Sequence, residues 1–213
     1  MKKFLAVILT VVMLFTTAAT AFAADVPQTA DDENIATISL CSNIYVWPIS
    51  GHTWIYVHNN SDEPIQVGLW EVLPDQGVSI GAFSFSVDNG WGLYYNIESY
   101  KENLKDRMDT VRSISEDMDA DELASLNKAL SKYPNMWSFG VNCATFSFSM
   151  WNAVTGDAMF SLLIPAISDF MIMLKGGKKG VLEMYQNPRE NVYRQKGSGD
   201  DAYLVPVSDY TAN

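Results

Sequence analysis

Residues 50–60 read SGHTWIYVHNN, and their alternation decides the fold. Side chains of a strand point alternately to opposite faces, so His52, Trp54, Tyr56 and His58 share one side while Ile55 and Val57 share the other. One side is mixed polar and aromatic, the other aliphatic. Working outward, similar short runs flank this one: ATISL (36–40), PIQVGLWEV (64–72) and VSIGAFSFSV (78–87). The turn clusters PISG (48–51), NNSDEP (59–64) and LPDQG (73–77) separate them. An antiparallel sheet over residues 35–87 is the expectation.

Further along, GWGLYYNIESY (90–100) stays aromatic, with Asn96 and Glu98 as polar positions expected to hold a loop by hydrogen bonds. KENLKDRMDTVRSI (101–114) then loses the β signal and gains helix formers. Asp119 followed by Glu122 makes a capping pair for a helix whose Leu123, Leu126, Leu130 and Tyr133 share a face, and Pro134 ends it. The spacing Asp117, Asp119, Asp121 lacks the glycine and distal glutamate of a calcium loop, so it reads as a charged helix start. A second helix opens at Cys143, capped by Asn142, and stops at Thr155–Gly156. A third covers Ala166–Leu174, entered through Pro165 and stopped by Gly176 and Gly177. A KGSGDD loop (196–201) and a last strand in AYLVPV (202–207) follow, which makes the fold class α+β.

The 213-residue chain is 48% hydrophobic and 18% charged, a globular profile, and its formal net charge of −11 argues against nucleic acid and against anionic membranes. Two cysteines are too few for a disulfide scaffold, and no metal-ligand spacing is visible, so neither a metal nor another cofactor is expected. Lys2 and Lys3 precede an apolar run, Phe4–Phe15, and Ala21-Phe22-Ala23 matches a signal-peptidase site. Residues 1–23 are therefore read as a secretory signal, 24–34 as a disordered acidic leader and 35–213 as one domain, with a core about 40–156 and an extension 157–213. The expectation is an exported monomer with no membrane-spanning segment after cleavage.

His52 and His58 stand six residues apart on one strand face, roughly 20 Å, too far to share a metal. Cys143 is the natural partner for His52, because a cysteine in the first turn of a helix feels the positive end of the macrodipole, which favours the thiolate. First-turn backbone N–H groups would be at hand for an oxyanion. In an oxidising compartment a Cys41–Cys143 disulfide is the rival reading, and would leave an exported binding protein without catalysis. Trp137 and Asn142 are the candidate substrate contacts.

A GHxWIY strand followed about ninety residues later by NCxxF opening an aromatic helix resembles the circularly permuted branch of the papain-like superfamily. That branch includes NlpC-like cell-wall peptidases and acyltransferases similar to lecithin retinol acyltransferase. The resemblance spans residues 40–156 and implies an antiparallel sheet packed on the cysteine helix. It makes His52 the general base and Cys143 the nucleophile of a cysteine hydrolase acting on a peptide, amide or ester. It also implies a third polar residue, from the next strand, that orients the histidine. Matching like faces of residues 53–58 and 65–70 selects Gln66, with Glu71 as the alternative if a bulge re-aims it.

Overall fold

The computed structural model describes residues 34–46, 50–84, 90–104, 107–138, 140–160 and 165–207. The segment read as a signal, and all of the acidic leader but Asn34, lie outside the described residues. Among the described residues ten strands run in chain order: β1 (Ala36–Val46), β2 (Ser50–Asn59), β3 (Ile65–Val67), β4 (Trp70–Val72), β5 (Gly77–Phe83), β6 (Gly92–Tyr95), β7 (Arg112–Met118), β8 (Lys178–Lys179), β9 (Tyr193–Lys196) and β10 (Tyr203–Pro206). Four α-helices among the described residues join them: α1 (Ile97–Leu104), α2 (Ala120–Lys132), α3 (Cys143–Thr155) and α4 (Pro165–Leu174). The architecture is α+β. Eight strands form one sheet in the order β10-β9-β6-β5-β2-β1-β7-β8, and every pairing in it is antiparallel.

The two faces of residues 50–60 become two cores. Ile55 and Val57 join Ile38, Leu40, Val78 and Ile80 beneath α2 and α3, which contribute Leu123, Leu126, Leu130, Phe146, Phe148 and Trp151. Each such side chain contributes about 1.5–3 kcal/mol by leaving water. On the opposite face Trp54 and Tyr56 pack with Cys41, Val111 and Met184. Both long helix starts are capped as their sequences predict: Glu122 N–H donates to Asp119 at 2.8 Å, and Ala144 and Thr145 N–H donate to Asn142 at 3.0 and 3.1 Å.

Three elements depart from the sequence reading. PIQVGLWEV is not a strand beside β2. It folds as a separate hairpin of β3 and β4 around Gly68, whose φ of +58° is open to glycine at little cost. Asn127 of α2 pins that turn, accepting from Gly68 N–H at 2.7 Å and donating to the Gln66 carbonyl at 2.8 Å. The neighbour of β2 is instead β5, with Ile55 opposite Ile80 and Val57 opposite Val78. Second, α1 begins inside the aromatic stretch, at Ile97, and not after it. Third, RSISEDM forms β7 beside β1. It shows little apolar alternation because polar pairs span the two strands: Ser39 and Ser115 hydroxyls meet at 2.8 Å, and Thr37 donates to Asp117 at 3.1 Å.

Candidate active site

Asn142 accepts from two orphan N–H groups and Thr145 Oγ1 accepts from the Asn142 N–H at 2.8 Å, so the chain turns into α3 at a fixed angle with Cys143 as its first residue. Gly156, left-handed at φ 67°, closes the other end. The register of β2 with β5 ends at Ile55–Ile80, and beyond it the Thr53 N–H donates to the Cys143 sulfur. Helix start and strand thus meet where the two strands stop pairing.

His52, one residue before Thr53 and 8% exposed, lies beside the Cys143 side chain, near enough for the two to shift each other's pKa. Its Nε2 lies 2.8 Å from Glu98 Oε1, and Glu98 is 2% exposed. With Nε2 given to Glu98, Nδ1 is the ring nitrogen left for the sulfur. The ring is held by Phe83, centroid to centroid 4.3 Å, and is stacked with Trp54 at 5.9 Å.

Glu98 reaches this position because Asn96 adopts φ 67° and is tied to β5. Asn96 N–H donates to the Ser79 carbonyl at 2.7 Å, and its side chain donates to the Asn191 carbonyl at 3.0 Å. The first turn of α1 then lies over β5 at Gly81. A Cβ there would strike Glu98 Oε1 and come within 2.8 Å of His52 Nε2, so the imidazole–carboxylate pair occupies space that only glycine leaves open.

Burial alone pulls the His52 pKa down, but the hydrogen bond and negative charge of Cys143, followed by those of Glu98, outweigh it and push it up to about 10. Burial alone would raise the Cys143 thiol. The hydrogen bond and charge of His52, aided by the Thr53 and Ala144 N–H groups, bring it below its ordinary value. The favoured state is a thiolate–imidazolium pair backed by a carboxylate. Such a pair holds a nucleophile and a proton donor together at near-neutral pH.

His52 and Cys143 are therefore brought together, while Gln66 and Glu71 are not part of the group. Both belong to the β3–β4 hairpin; they are exposed, and Gln66 Nε2 donates to its own turn at the Gly68 carbonyl. The expected place of either beside His52 is corrected: the side chain that meets the imidazole is Glu98. The expectation that Glu98 merely holds a loop fails with it, although Asn96 does hold one. A carboxylate inside YYNIESY carries a signal of its own, since a charge in an aromatic run needs a partner once buried.

Asn142 is the cap of α3 and is buried; Trp137, 37% exposed, lies on the connection between α2 and α3. No hydrogen bond or ring contact among the described residues ties Trp137 to the cysteine, histidine and glutamate. Nor are the first-turn N–H groups all open: those of Ala144 and Thr145 are taken by the cap. His58 sits at the far end of β2, opposite Thr37 and Gly77.

Cys41 and Cys143 are both free, so the disulfide of the rival reading is not formed. Cys41 is fully buried, and burial, then the Glu98 charge, hold its thiol well above the ordinary value. No group of three or more His, Cys, Asp or Glu that could hold a metal ion exists among the described residues. Compared with protein-family models, curated proteins and solved structures, the chain has no match.

Proposed function

We propose that this chain is an exported cysteine hydrolase of circularly permuted papain-like architecture, cleaving an amide or ester through an acyl-cysteine intermediate. The observation that carries the reading is a single imidazole that meets a buried carboxylate at 2.8 Å and stands close enough to a helix-start cysteine for each to shift the other's pKa. The order of its parts, histidine strand before cysteine helix, agrees with the resemblance.

In this mechanism the Cys143 thiolate attacks the carbonyl carbon and forms a C–S bond. The Cys143 N–H, the first-turn donor that the cap does not take, faces the developing oxyanion. His52 gives its proton to the departing amine or alcohol as that bond breaks. A water then gives its proton to His52 while its oxygen attacks the thioester, releasing the acid and restoring the thiolate–imidazolium pair. Glu98 keeps the imidazole in the tautomer and orientation this exchange requires. Substitution of water by an alcohol or amine acceptor turns the same cycle into acyl transfer. A peptide of the cell wall is the substrate the resemblance and the export signal suggest.

The test is an activated acyl ester followed by mass spectrometry of the intact chain. A single acyl adduct is expected, mapping to Cys143 and missing from both Cys143→Ala and His52→Ala. An adduct that persists in Cys143→Ala, or hydrolysis of a peptide and ester panel that survives both substitutions, sinks the reading.

A further inference from the structure

Glu98 is a carboxylate with one partner. Its Oε1 meets His52, while Oε2, also buried, accepts no hydrogen bond among the described residues. A buried carboxylate usually fixes its orientation by filling the lone pairs of both oxygens. Glu98 does not, so its aim at the imidazole depends on where the backbone of α1 begins.

The residues on either side of it show what sets that beginning. Asn96 and Ser99 are fully buried, as is Ser79 of β5. Ser99 N–H donates to the Ser79 hydroxyl at 3.1 Å, and Ser79 N–H donates to Asn96 Oδ1 at 3.3 Å. Both halves of this joint converge on Asn187, which is 2% exposed and comes about ninety residues later in the chain. Its side-chain amide donates to the Gly77 carbonyl at 2.9 Å, to Asn96 Oδ1 at 3.1 Å and to the Ser99 hydroxyl at 3.2 Å. An amide NH2 has two hydrogens, so the three acceptors share them. One group thus spans β5 and the first turn of α1, on both sides of Glu98.

Asn187 is itself held in place. Tyr185 N–H donates to the Tyr56 hydroxyl at 2.7 Å, and Met184 and half-buried Leu182 pack with Trp54 and Cys41. This stretch belongs to the extension, outside the residues 40–156 that carry the resemblance.

We propose that Asn187 is a positioning residue for the cysteine site: it seats α1 on β5 so that Glu98 meets His52, which makes the C-terminal extension part of the working site. The effect on turnover rests on the hydrolase reading; the effect on the histidine does not. A misplacement of about 1 Å in a supporting group can cost roughly 100-fold in rate.

The chain has two histidines, so nuclear magnetic resonance of the full chain with labelled imidazoles follows His52 and His58 separately. Glu98→Gln should lower the pH at which His52 releases its proton by roughly 1 to 3. Asn187→Ala should lower it in the same direction, leave His58 unmoved, and add nothing in the Glu98→Gln background. With p-nitrophenyl acetate, Asn187→Ala should lower kcat roughly 10- to 100-fold with KM little changed. Asp119→Ala, which weakens the chain at the cap of α2, should titrate as the parent does. Where circular dichroism shows Asn187→Ala unfolded, Ser99→Ala takes its place, with the same direction expected; it removes one acceptor at a helix position that favours alanine. Parental His52 titration in the folded variant, an effect that adds to Glu98→Gln, or an equal change in Asp119→Ala would each overturn the proposal. A lowered His52 titration with no acyl adduct on Cys143 would support the positioning role and sink the hydrolase reading alone.

Discussion

An imidazole has two nitrogens, and His52 commits them to different partners, which separates the roles of its neighbours. Glu98 sets which nitrogen keeps its proton when the ring is neutral, and Cys143 receives the other. Reactivity should follow the pair and not a free thiol. Alkylation of Cys143 by iodoacetamide should persist well below the ordinary thiol range near pH 8.5 and return to that range in His52→Ala. For the proposed hydrolase kcat/KM should rise with pH as the depressed Cys143 thiol ionises and fall as His52 loses its proton near 10, with a plateau between those limits. Glu98→Gln keeps the shape of the side chain without its charge and should lower kcat roughly 100- to 10,000-fold with KM little changed. Gly81→Ala should do the same by steric means, since its Cβ takes the space of the Glu98 carboxylate; steady-state kinetics with folding checked by circular dichroism separates this from unfolding. Its place in an aromatic run marks Glu98 among the 25 acidic residues as one that needs a partner, but only its position over Gly81 shows that the partner is His52.

At the level of elements, α2 and α3 are capped alike but serve differently. Asp119→Ala and Asn142→Ala each remove the acceptor for orphan N–H groups, at a cost of about 1 kcal/mol of stability. Both should lower Tm by roughly 2–4 °C. Only Asn142→Ala should also slow Cys143 alkylation, because that cap sets the angle at which the cysteine meets β2. Equal alkylation rates in the two variants would detach the cap from the chemistry. These helices were legible in sequence because capping boxes and stop signals are local. The β3–β4 hairpin was not, because PIQVGLWEV has the composition of one strand, and its break at Gly68 depends on Asn127, which lies some sixty residues later. β7 escaped for a related reason, its faces being stitched by hydroxyl and carboxylate pairs that leave no apolar period.

Over the whole molecule, the sheet order sets β5, whose Ser79 and Gly81 meet α1, beside β2, whose first residues meet the start of α3, and the two helices converge at His52. The hairpin holding Gln66 and Glu71 lies outside that sheet, so Gln66→Ala and Glu71→Ala should each leave turnover within about twofold of the parent; a large loss in either would restore a role for the hairpin. The sequence by itself determined the α+β class, the two-faced strand at 50–60, the helix limits around Asp119 and Cys143, and the prospect that His52 and Cys143 work together. The first three rest on periodicity and capping, quantities read within a dozen positions, and the last on a cysteine at a helix start together with the resemblance carried by two motifs about ninety residues apart. Only the tertiary structure decided which strand lies beside β2, which carboxylate meets the histidine, and that Cys41 and Cys143 stay apart. Those outcomes depend on which distant segments share space. Strand pairing is chosen by packing over the entire sheet, and a partner's identity is invisible until the backbone has brought it within hydrogen-bond reach.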